Sequence, residues 1–201
     1  YYVRTTGGGA FINQLYNGVA CQNCNVTTSG GTLVAVAAGA TTSNINFSLT
    51  TGGRISGTIT NAAGGAPIQN VSAQIFNASG VGLGQFNSNA SGVYTTPGLP
   101  AGTYYVRTQN SLNFVNQLHS GIECPLNGCV PTLGAPVTVP LGVTAANTNL
   151  ALSGRGPLSV RVWNGYEPGG DVVFMTGTKA PKTVALREAG RATLVAQREA
   201  L

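Results

Sequence analysis

Charged side chains are scarce in this sequence, at 7% of its 201 residues, whereas a typical soluble protein has about 25%. The first 154 residues contain one acid, Glu123, and three cations, Arg4, Arg54 and Arg107. The net charge is +5, but seven of the ten Lys and Arg residues lie after Gly154. Nucleic-acid binding needs a clustered basic surface, so this distribution argues against a nucleic-acid partner.

Groups that carry out catalysis are also few. His119 is the only histidine, and hydrolysis by a nucleophile needs a base and an orienting acid beside it. A single acid before Gly154 cannot form the carboxylate pair of glycoside chemistry. No Gly-rich loop follows a strand and opens a helix, as phosphate binding requires. We therefore expect that the protein is not an enzyme and has no cofactor or metal site.

Long apolar runs are lacking as well, because none approaches the ~20 residues of a membrane-spanning helix. What the sequence has instead is 29 glycines and short runs that alternate apolar and polar residues between Gly, Asn and Pro turns. Such alternation is typical of half-buried strands. The predicted strands are 54–60, 71–77, 82–87, 93–96, 103–108, 114–118, 136–139 and 147–152.

The stretch from Gly52 to Thr108 resembles the carboxypeptidase regulatory-like family, a transthyretin-like β-sandwich related to the B-type repeats of bacterial surface adhesins. The resemblance rests on the segments GRISGTIT, API, SGVY and GLPAGTY within residues 53–104. It implies an all-β fold of tandem immunoglobulin-like or transthyretin-like sandwiches. The isopeptide crosslinks of adhesin repeats are not carried over, because the only lysines are Lys179 and Lys182. Their acidic calcium loops are not carried over either, because no Asp or Glu lies between Tyr1 and Ile122.

The sequence repeats itself with an offset of 103 residues. Tyr1-Tyr-Val-Arg-Thr recurs at Tyr104, and Phe11-Ile-Asn-Gln-Leu recurs as Phe114-Val-Asn-Gln-Leu. A repeat of this length is a whole domain rather than a unit of a solenoid. We therefore predict three parts: residues 1–51 are the C-terminal half of one repeat, 52–154 are a complete repeat, and 155–201 begin a degenerate third copy.

Residues 1–51 lack the first half of their own repeat, and an isolated half-sandwich would expose its inner face. Three interpretations are open. We expect first that the chain is a fragment of a longer array. Alternatively, a neighbouring chain supplies the missing strands, or the half-repeat packs on the repeat that follows it.

The third copy is predicted from Leu158-Ser-Val-Arg-Val-Trp-Asn, which aligns with the strand that starts at Ile55. A strand near 157–164, with Leu158, Val160 and Val162 on one face, could pair with residues 1–51 of another chain by strand addition. The Ala/Arg/Glu-rich tail from Lys179 to Leu201 diverges from the repeat. It favours a short helix by propensity, a disordered tail or an unrelated terminal sequence.

The four cysteines form two local pairs, Cys21 with Cys24 and Cys124 with Cys129. A redox motif would need a βαβ context, and a four-cysteine zinc site would need both pairs together. Because the pairs occupy equivalent places in successive copies, we predict one disulfide in each, which indicates an oxidising compartment.

Two tyrosines are candidates to face a ligand, Tyr16 and Tyr105, because exposed aromatic rings can stack on sugars. Tyr16 is the counterpart of His119, so that position takes a large, partly polar ring rather than a catalytic imidazole. Most other rings follow the pattern of the core.

The sequence therefore predicts a structural repeat segment of a secreted or cell-surface bacterial protein: a stalk, matrix component or extracellular fibre. Its partners would be neighbouring repeats or other copies of itself, joined head to tail. The alternatives are an adhesin module that binds carbohydrate or another surface, and an accessory domain of a larger secreted enzyme.

Overall fold

The structure is a computed structural model that describes residues 1–124 and 128–156, and four strands beyond them. The chain divides into two compact units, Tyr1–Gly154 and Arg155–Leu201. The predicted boundary between the half-repeat and the complete repeat lies inside the first unit. No helix among the described residues is long and apolar enough to cross a membrane.

Within residues 1–124 and 128–154, the first unit has short strands and a 3-10 turn at Pro131–Leu133. In chain order the strands are β1 (Gln14–Leu15), β2 (Val19–Ala20), β3 (Arg54–Asn61), β4 (Ser72–Asn77), β5 (Gly82–Asn87), β6 (Val93–Thr95), β7 (Gly102–Gln109), β8 (Asn116–Gln117), β9 (Glu123–Cys124), β10 (Val137–Val139), β11 (Thr144–Ala145) and β12 (Leu150–Leu152). The all-β prediction is confirmed.

The complete repeat is built from two sheets. One has the order β10-β7-β4-β5, and all of its pairs are antiparallel. In the other, β11 and β12 pair in parallel with β3, and β6 pairs with β3 antiparallel. Inward residues of both sheets form one core, because alternate side chains of a strand share a face. The core includes Ile55, Ile59, Val71, Ala73, Ile75, Tyr94, Leu99, Tyr104, Val106, Val137, Val139, Leu150 and Leu152.

The eight predicted strands are all present, but two of them are shorter than predicted by three residues. The strand expected at 114–118 is reduced to β8, because Phe114 forms only an isolated bridge to Gly154. The strand expected at 147–152 begins at Leu150, because Asn147 adopts a φ of 63°. A positive φ is incompatible with extended backbone, and Asn is one of the residues that tolerate it.

Closure of the complete repeat depends on a close approach between β3 and the last segment of the repeat. The Thr148 amide donates to the Ser56 carbonyl at 3.1 Å. A Cβ at Gly57 would lie 2.0 Å from the Thr148 carbonyl oxygen. Only glycine therefore lets the two main chains come this close. The Tyr94 hydroxyl donates to the same Thr148 oxygen at 2.7 Å and ties β6 into the closure.

Residues 1–51 share several backbone hydrogen bonds with residues 104–154. The Tyr16 amide donates to the Val3 carbonyl at 2.9 Å, as the His119 amide does to Val106. The register of β1 with β2, in which Gln14 faces Ala20, equals that of β8 with β9, in which Gln117 faces Glu123. The left-handed residues also coincide, as the pairs Asn17 and Ser120, Gly39 and Gly142, and Asn44 and Asn147.

Burial differs between the two copies although the backbone agrees. Tyr1 is 77% exposed and its equivalent Tyr104 is 5% exposed. Val36 is 47% exposed, whereas Val139 is 1% exposed. Tyr104 and Val139 are covered by the strands of their own repeat, and residues 1–51 have no such strands among those described. The local hydrogen bonds are thus sufficient to form the backbone of residues 1–51. Burial of the apolar side chains requires the strands of the first half of a repeat.

The second unit is described only at four strands, β13 (Leu158–Arg161), β14 (Val172–Met175), β15 (Val184–Ala185) and β16 (Thr193–Leu194). β13 pairs antiparallel with β14, and β15 with β16. The strand-addition segment therefore has one edge occupied within its own chain, while Val162 lies outside the described residues. At β15 and β16 the tail is strand, so cross-strand pairing overrides the helix propensity there.

We predict that Gly57→Ala lowers the free energy of unfolding by about 2–4 kcal/mol, because the new methyl group overlaps a main-chain oxygen. The matched control is Gly64→Ala, since a Cβ at Gly64 meets no atom within 4 Å. Urea unfolding measures both variants. Equal stabilities of the two would contradict this account of the closure.

We also predict that stability falls as the pH rises above about 10. Burial raises the pKa of the Tyr94 phenol well above its usual value, and it raises the pKa of Tyr104. The folded state therefore prefers the neutral phenols, and this contribution is complete below the unfolded-state pKa and lost above it. Tyr94→Phe should flatten the alkaline loss while lowering stability at neutral pH by about 1–3 kcal/mol. An unchanged alkaline slope in the variant would contradict the prediction.

Candidate functional site at the junction between repeats

The half-repeat and the complete repeat meet through three segments of main chain, residues 9–12, 50–53 and 98–99. The Gly52 amide donates to the Ala10 carbonyl at 2.8 Å, and the Gly98 amide donates to Gly9 at 2.9 Å. Gly53 and Leu99 exchange two hydrogen bonds, at 2.9 and 2.7 Å. We call this set of segments the junction. The linker at 50–53 is thus held between the two repeats rather than hanging free.

Two glycines allow the segments of the junction to touch. A Cβ at Gly98 would lie 2.3 Å from the Ala10 carbonyl oxygen, and one at Gly52 would lie 2.6 Å from the Gly98 carbonyl carbon. Any side chain at either position would push the repeats apart, because the opposing atoms belong to main chain. Hydrogen bonds in this arrangement restrict rotation about the linker, so the junction resists bending.

A cleft of about 260 Å³ lies beside the junction, between the half-repeat and β5. Its walls carry amides and one aromatic ring, and Arg4 supplies its positive charge. The Oδ1 atom of Asn13 is buried there and has no hydrogen-bond partner in the described part of the chain. A buried amide oxygen without a donor is unfavourable unless water or a ligand supplies one. The residues that line the cleft include Arg4, Asn13, Gln22, Asn23, Gln85 and Phe86.

Both cysteine pairs form local disulfides, Cys21–Cys24 and Cys124–Cys129. The first cysteine of each pair is buried, with Cys21 2% and Cys124 1% exposed, and the second lies nearer the surface. Among the described residues, no group of three or more His, Cys, Asp and Glu side chains is arranged to hold a metal ion. Each disulfide closes a loop within its own copy.

Arg107 holds the second disulfide loop on the sheet. Its Nε and Nη2 atoms donate to the Gln74 Oε1 atom at 3.0 and 2.8 Å, and its Nη1 atom donates to the Cys129 carbonyl at 3.1 Å. The guanidinium also lies 5.1 Å from the centre of the Phe76 ring, within the range of a cation–π contact. Burial lowers the pKa of Arg107. The equivalent residue in the half-repeat is Arg4, which lines the cleft instead.

The structure does not bring the two candidate ligand-facing tyrosines together. Tyr16 packs edge-on against Phe47 with ring centres 6.0 Å apart, within the half-repeat. Tyr105 lies in β7 opposite Phe76 of β4, within the complete repeat. Both are half-buried. His119 sits at the turn after β8, where its Nδ1 atom is buried without a hydrogen-bond partner in the described part of the chain.

The junction is the feature that sequence reasoning missed. The sequence pattern does not single out Gly52, Gly53 and Gly98, because a glycine that allows close approach has the same signature as one that allows a turn. None of the three has a left-handed φ, so a turn is not the reason for glycine there. The pairing of these segments joins residues nearly ninety positions apart, about 88 for Ala10 and Gly98.

Comparison with known proteins supports the family. The carboxypeptidase regulatory-like domain matches residues 54–123, so the chain contains a domain of this family. No curated protein matches the chain.

Two solved structures show distant similarity. The group B streptococcus pilus 2b backbone protein has 17% identity and a TM-score of 0.37, over 54% of this chain and 43% of that one. The major pilin subunit of Bacillus cereus has 14% identity and a TM-score of 0.35, over 56% of this chain and 32% of that one. The chain thus spans less than half the length of either protein, and similarity at this level carries no functional argument.

We predict that Arg107→Ala frees the Cys124–Cys129 loop and costs about 1–2 kcal/mol of stability. Reduction of that disulfide by a small thiol should become several-fold faster, since the loop loses its bond to the sheet. Alkylation and mass spectrometry measure the rate at each pair. The Cys21–Cys24 bond is the internal control and should keep its wild-type rate. Unchanged reduction at Cys124–Cys129 would show that Arg107 does not hold the loop.

Proposed function

We propose that this chain, whose residues 54–123 form a carboxypeptidase regulatory-like domain, is a spacer segment of a secreted or cell-surface bacterial protein. Its repeats would be stacked end to end and would set a distance, as in a stalk, matrix component or extracellular fibre. The observation that carries the proposal is the junction, in which main-chain hydrogen bonds and glycine contacts fix one repeat against the next.

Repetition of the backbone supports this proposal. Residues 1–51 and 104–154 have equal hydrogen-bond registers at the hairpins β1–β2 and β8–β9, so the two copies share this part of their backbone. Each copy of residues 52–154 also supplies Gly52 and Gly98, the two glycines of the junction. Nearest-neighbour contacts of this type make the length of an array proportional to the number of its repeats.

Surface chemistry and disulfides support a location outside the cell. The outer face of the β10-β7-β4-β5 sheet carries amides and hydroxyls that bond to one another, for example Ser72 to Asn87 at 2.6 Å and Gln74 to Gln109. Such a surface is hydrated through its amides and hydroxyls and needs few charged side chains. The two disulfides are of the kind that persists in oxidising compartments.

The proposal includes the absence of enzymatic activity. Its support is that the first 154 residues contain a single histidine and a single acid, His119 and Glu123. A base without an orienting acid, in a chain without a carboxylate pair, offers little for the common hydrolytic mechanisms.

Carbohydrate binding at the cleft is the second candidate function. It is favoured by the amides and the Phe86 ring that line the cleft, because sugars present hydroxyl donors and apolar faces. Binding to glycans that is lost in both Asn13→Ala and Phe86→Ala would favour this function. Tyr105 is not among the residues that line the cleft. Loss of glycan binding in Tyr105→Ala would therefore place the binding site elsewhere.

The proposal is tested by lengthening the chain. We predict that inserting one or two further copies of residues 52–154 after Gly154 increases the maximum dimension in small-angle X-ray scattering by equal steps. Each inserted copy would add one junction and one repeat. Compact particles whose maximum dimension does not grow with copy number would contradict the spacer function.

A matched variant separates stiffness from length. Gly98→Val in every copy should keep the folded repeats but broaden the distribution of end-to-end distances, because the junction cannot close around the added side chain. Gly64→Val, at an open position, serves as the control and should leave the distribution unchanged.

A further inference from the structure

The Cys21–Cys24 loop makes a second contact between the half-repeat and the complete repeat, apart from the junction. At its apex the Asn23 Nδ2 atom donates to the Gly82 carbonyl at 3.3 Å. Gly82 begins β5, the strand at one edge of its sheet. An edge strand leaves backbone groups without partners in its sheet, and Asn23 supplies a donor to a carbonyl of this strand. The loop therefore joins segments that are 59 positions apart.

The base of the loop is anchored within the half-repeat. Cys21 is 2% exposed, and its amide donates to the Asn13 carbonyl at 2.8 Å. The Gln22 Oε1 atom accepts from the Asn13 side-chain amide at 3.4 Å. The disulfide then ties Cys24 back to the buried Cys21. The loop is thus fixed to the first repeat at its base and presents its apex to the second.

The disulfide confines Asn23 to the conformation that reaches β5. Asn23 has a φ of 56°, in the left-handed region that Asn tolerates better than most residues. Only two residues separate the cysteines, so a closed ring leaves the backbone at Asn23 few alternatives. When the ring is open, the loop gains conformations in which the side-chain amide points away from Gly82.

The surface that receives Asn23 is also held in shape. Gly82 follows the tip of the β4–β5 hairpin, where the Asn77 Oδ1 atom accepts from the Ser79 and Val81 amides at 3.0 and 2.9 Å. The Val81 carbonyl accepts from the Asn77 amide at 3.0 Å. A contact between two preformed surfaces loses little conformational entropy. The strength of this contact therefore depends on the state of the loop rather than on that of the hairpin.

The Asn23 contact and the junction lie at different places around the cleft. Pro97, which precedes Gly98 of the junction, lines the cleft together with Asn23 and Leu83. Two separate attachments between a pair of bodies resist a tilting motion that one attachment permits. The junction restricts rotation about the linker, and the Asn23 contact opposes the tilting that remains.

The equivalent loop of the complete repeat is held differently. The Cys129 carbonyl accepts from the Arg107 Nη1 atom at 3.1 Å, so the Cys124–Cys129 loop is attached to the sheet of its own repeat. Opening this second disulfide should not affect the contact of Asn23 with Gly82. The second loop is therefore a matched comparison for the first.

We propose that the Cys21–Cys24 loop is a redox-dependent clamp between the two repeats. When the disulfide is closed, Asn23 binds the Gly82 carbonyl and the repeats are held at one angle. When it is open, the loop relaxes and the repeats tilt about the junction. The proposal rests on the spacer function and adds a control of stiffness to it: the spacer is stiff in oxidising surroundings and bends in the presence of a dithiol.

Opening of the clamp is a two-electron reduction by the dithiol. A thiolate of the dithiol attacks the sulfur of Cys24, the more exposed of the two residues. The bond between the protein sulfurs breaks, and Cys21 leaves as a thiolate that takes a proton from water. The second thiol of the dithiol then displaces Cys24 from the mixed disulfide. The protein gains two thiols, and the dithiol is oxidised to an intramolecular disulfide.

The experiment measures the distance between the repeats in the full chain before and after reduction. Fluorophores are attached through azide-bearing residues at the exposed positions Ser43 and Ala63, so that no cysteine is added. Time-resolved energy transfer gives the distribution of distances. We expect a narrow distribution in the oxidised chain and an about twofold wider one in dithiothreitol, because a hinge motion becomes possible. Reoxidation should restore the narrow distribution.

Variants assign the effect to the first disulfide. The double variant Cys21→Ala/Cys24→Ala should give the wide distribution with or without dithiothreitol. Its match, Cys124→Ala/Cys129→Ala, should be narrow when oxidised and should respond to dithiothreitol as the unaltered chain does.

Asn23→Asp separates the clamp from a general loosening of the chain. Asp tolerates the left-handed conformation, but a carboxylate has no proton to donate to the Gly82 carbonyl. At neutral pH this variant should keep its disulfide, which alkylation and mass spectrometry check, and should still give the wide distribution.

An unchanged distribution on reduction, a narrow distribution in oxidised Asn23→Asp, or a lost response in Cys124→Ala/Cys129→Ala would each overturn the clamp. The scattering of lengthened chains is a separate measurement. Equal steps in length without a response to dithiothreitol would refute the clamp and leave the spacer function standing.

Discussion

The fold depends on one close approach, in which the last segment of a repeat lies in parallel along its own first strand. The contact requires glycine at position 57, because the Thr148 carbonyl fills the space where a side chain would begin. Around this contact Tyr94 adds a hydrogen bond to the same oxygen, and the apolar faces of both sheets close over it. A repeat is therefore complete only when its two ends meet.

The same dependence explains the contrast between the two copies. Residues 1–51 retain their turns and registers, since these are stabilised by short-range hydrogen bonds. Burial is lost at Tyr1 and Val36, because the strands that would cover them come from the first half of a repeat. The half-repeat is instead fixed at the junction, where main chain meets main chain. Packing on the following repeat was one of the three interpretations open from the sequence.

Sequence reasoning predicted the strands of the complete repeat because each is a short alternating run between turn residues, and tertiary contacts agree with that local pattern. The predicted start of the last strand at Asn147 was wrong, because Asn147 has a left-handed φ and the strand begins at Leu150. The junction could not be predicted, because it depends on a close contact between distant segments. Nothing local distinguishes Gly98, which touches Ala10, from a glycine in a turn. Tyr16 and Tyr105 do not form one ligand-facing surface, because they belong to different repeats.

The central claim is that the repeated sequence folds to the same backbone in both copies, whether or not the first half covers it. Solution NMR tests this through scalar couplings across hydrogen bonds. The account predicts couplings from the Tyr16 amide to the Val3 carbonyl and from the His119 amide to Val106, with similar sizes because both distances are 2.9 Å. A coupling at His119 without one at Tyr16 would contradict the claim, since the half-repeat would then lack the fold of its equivalent.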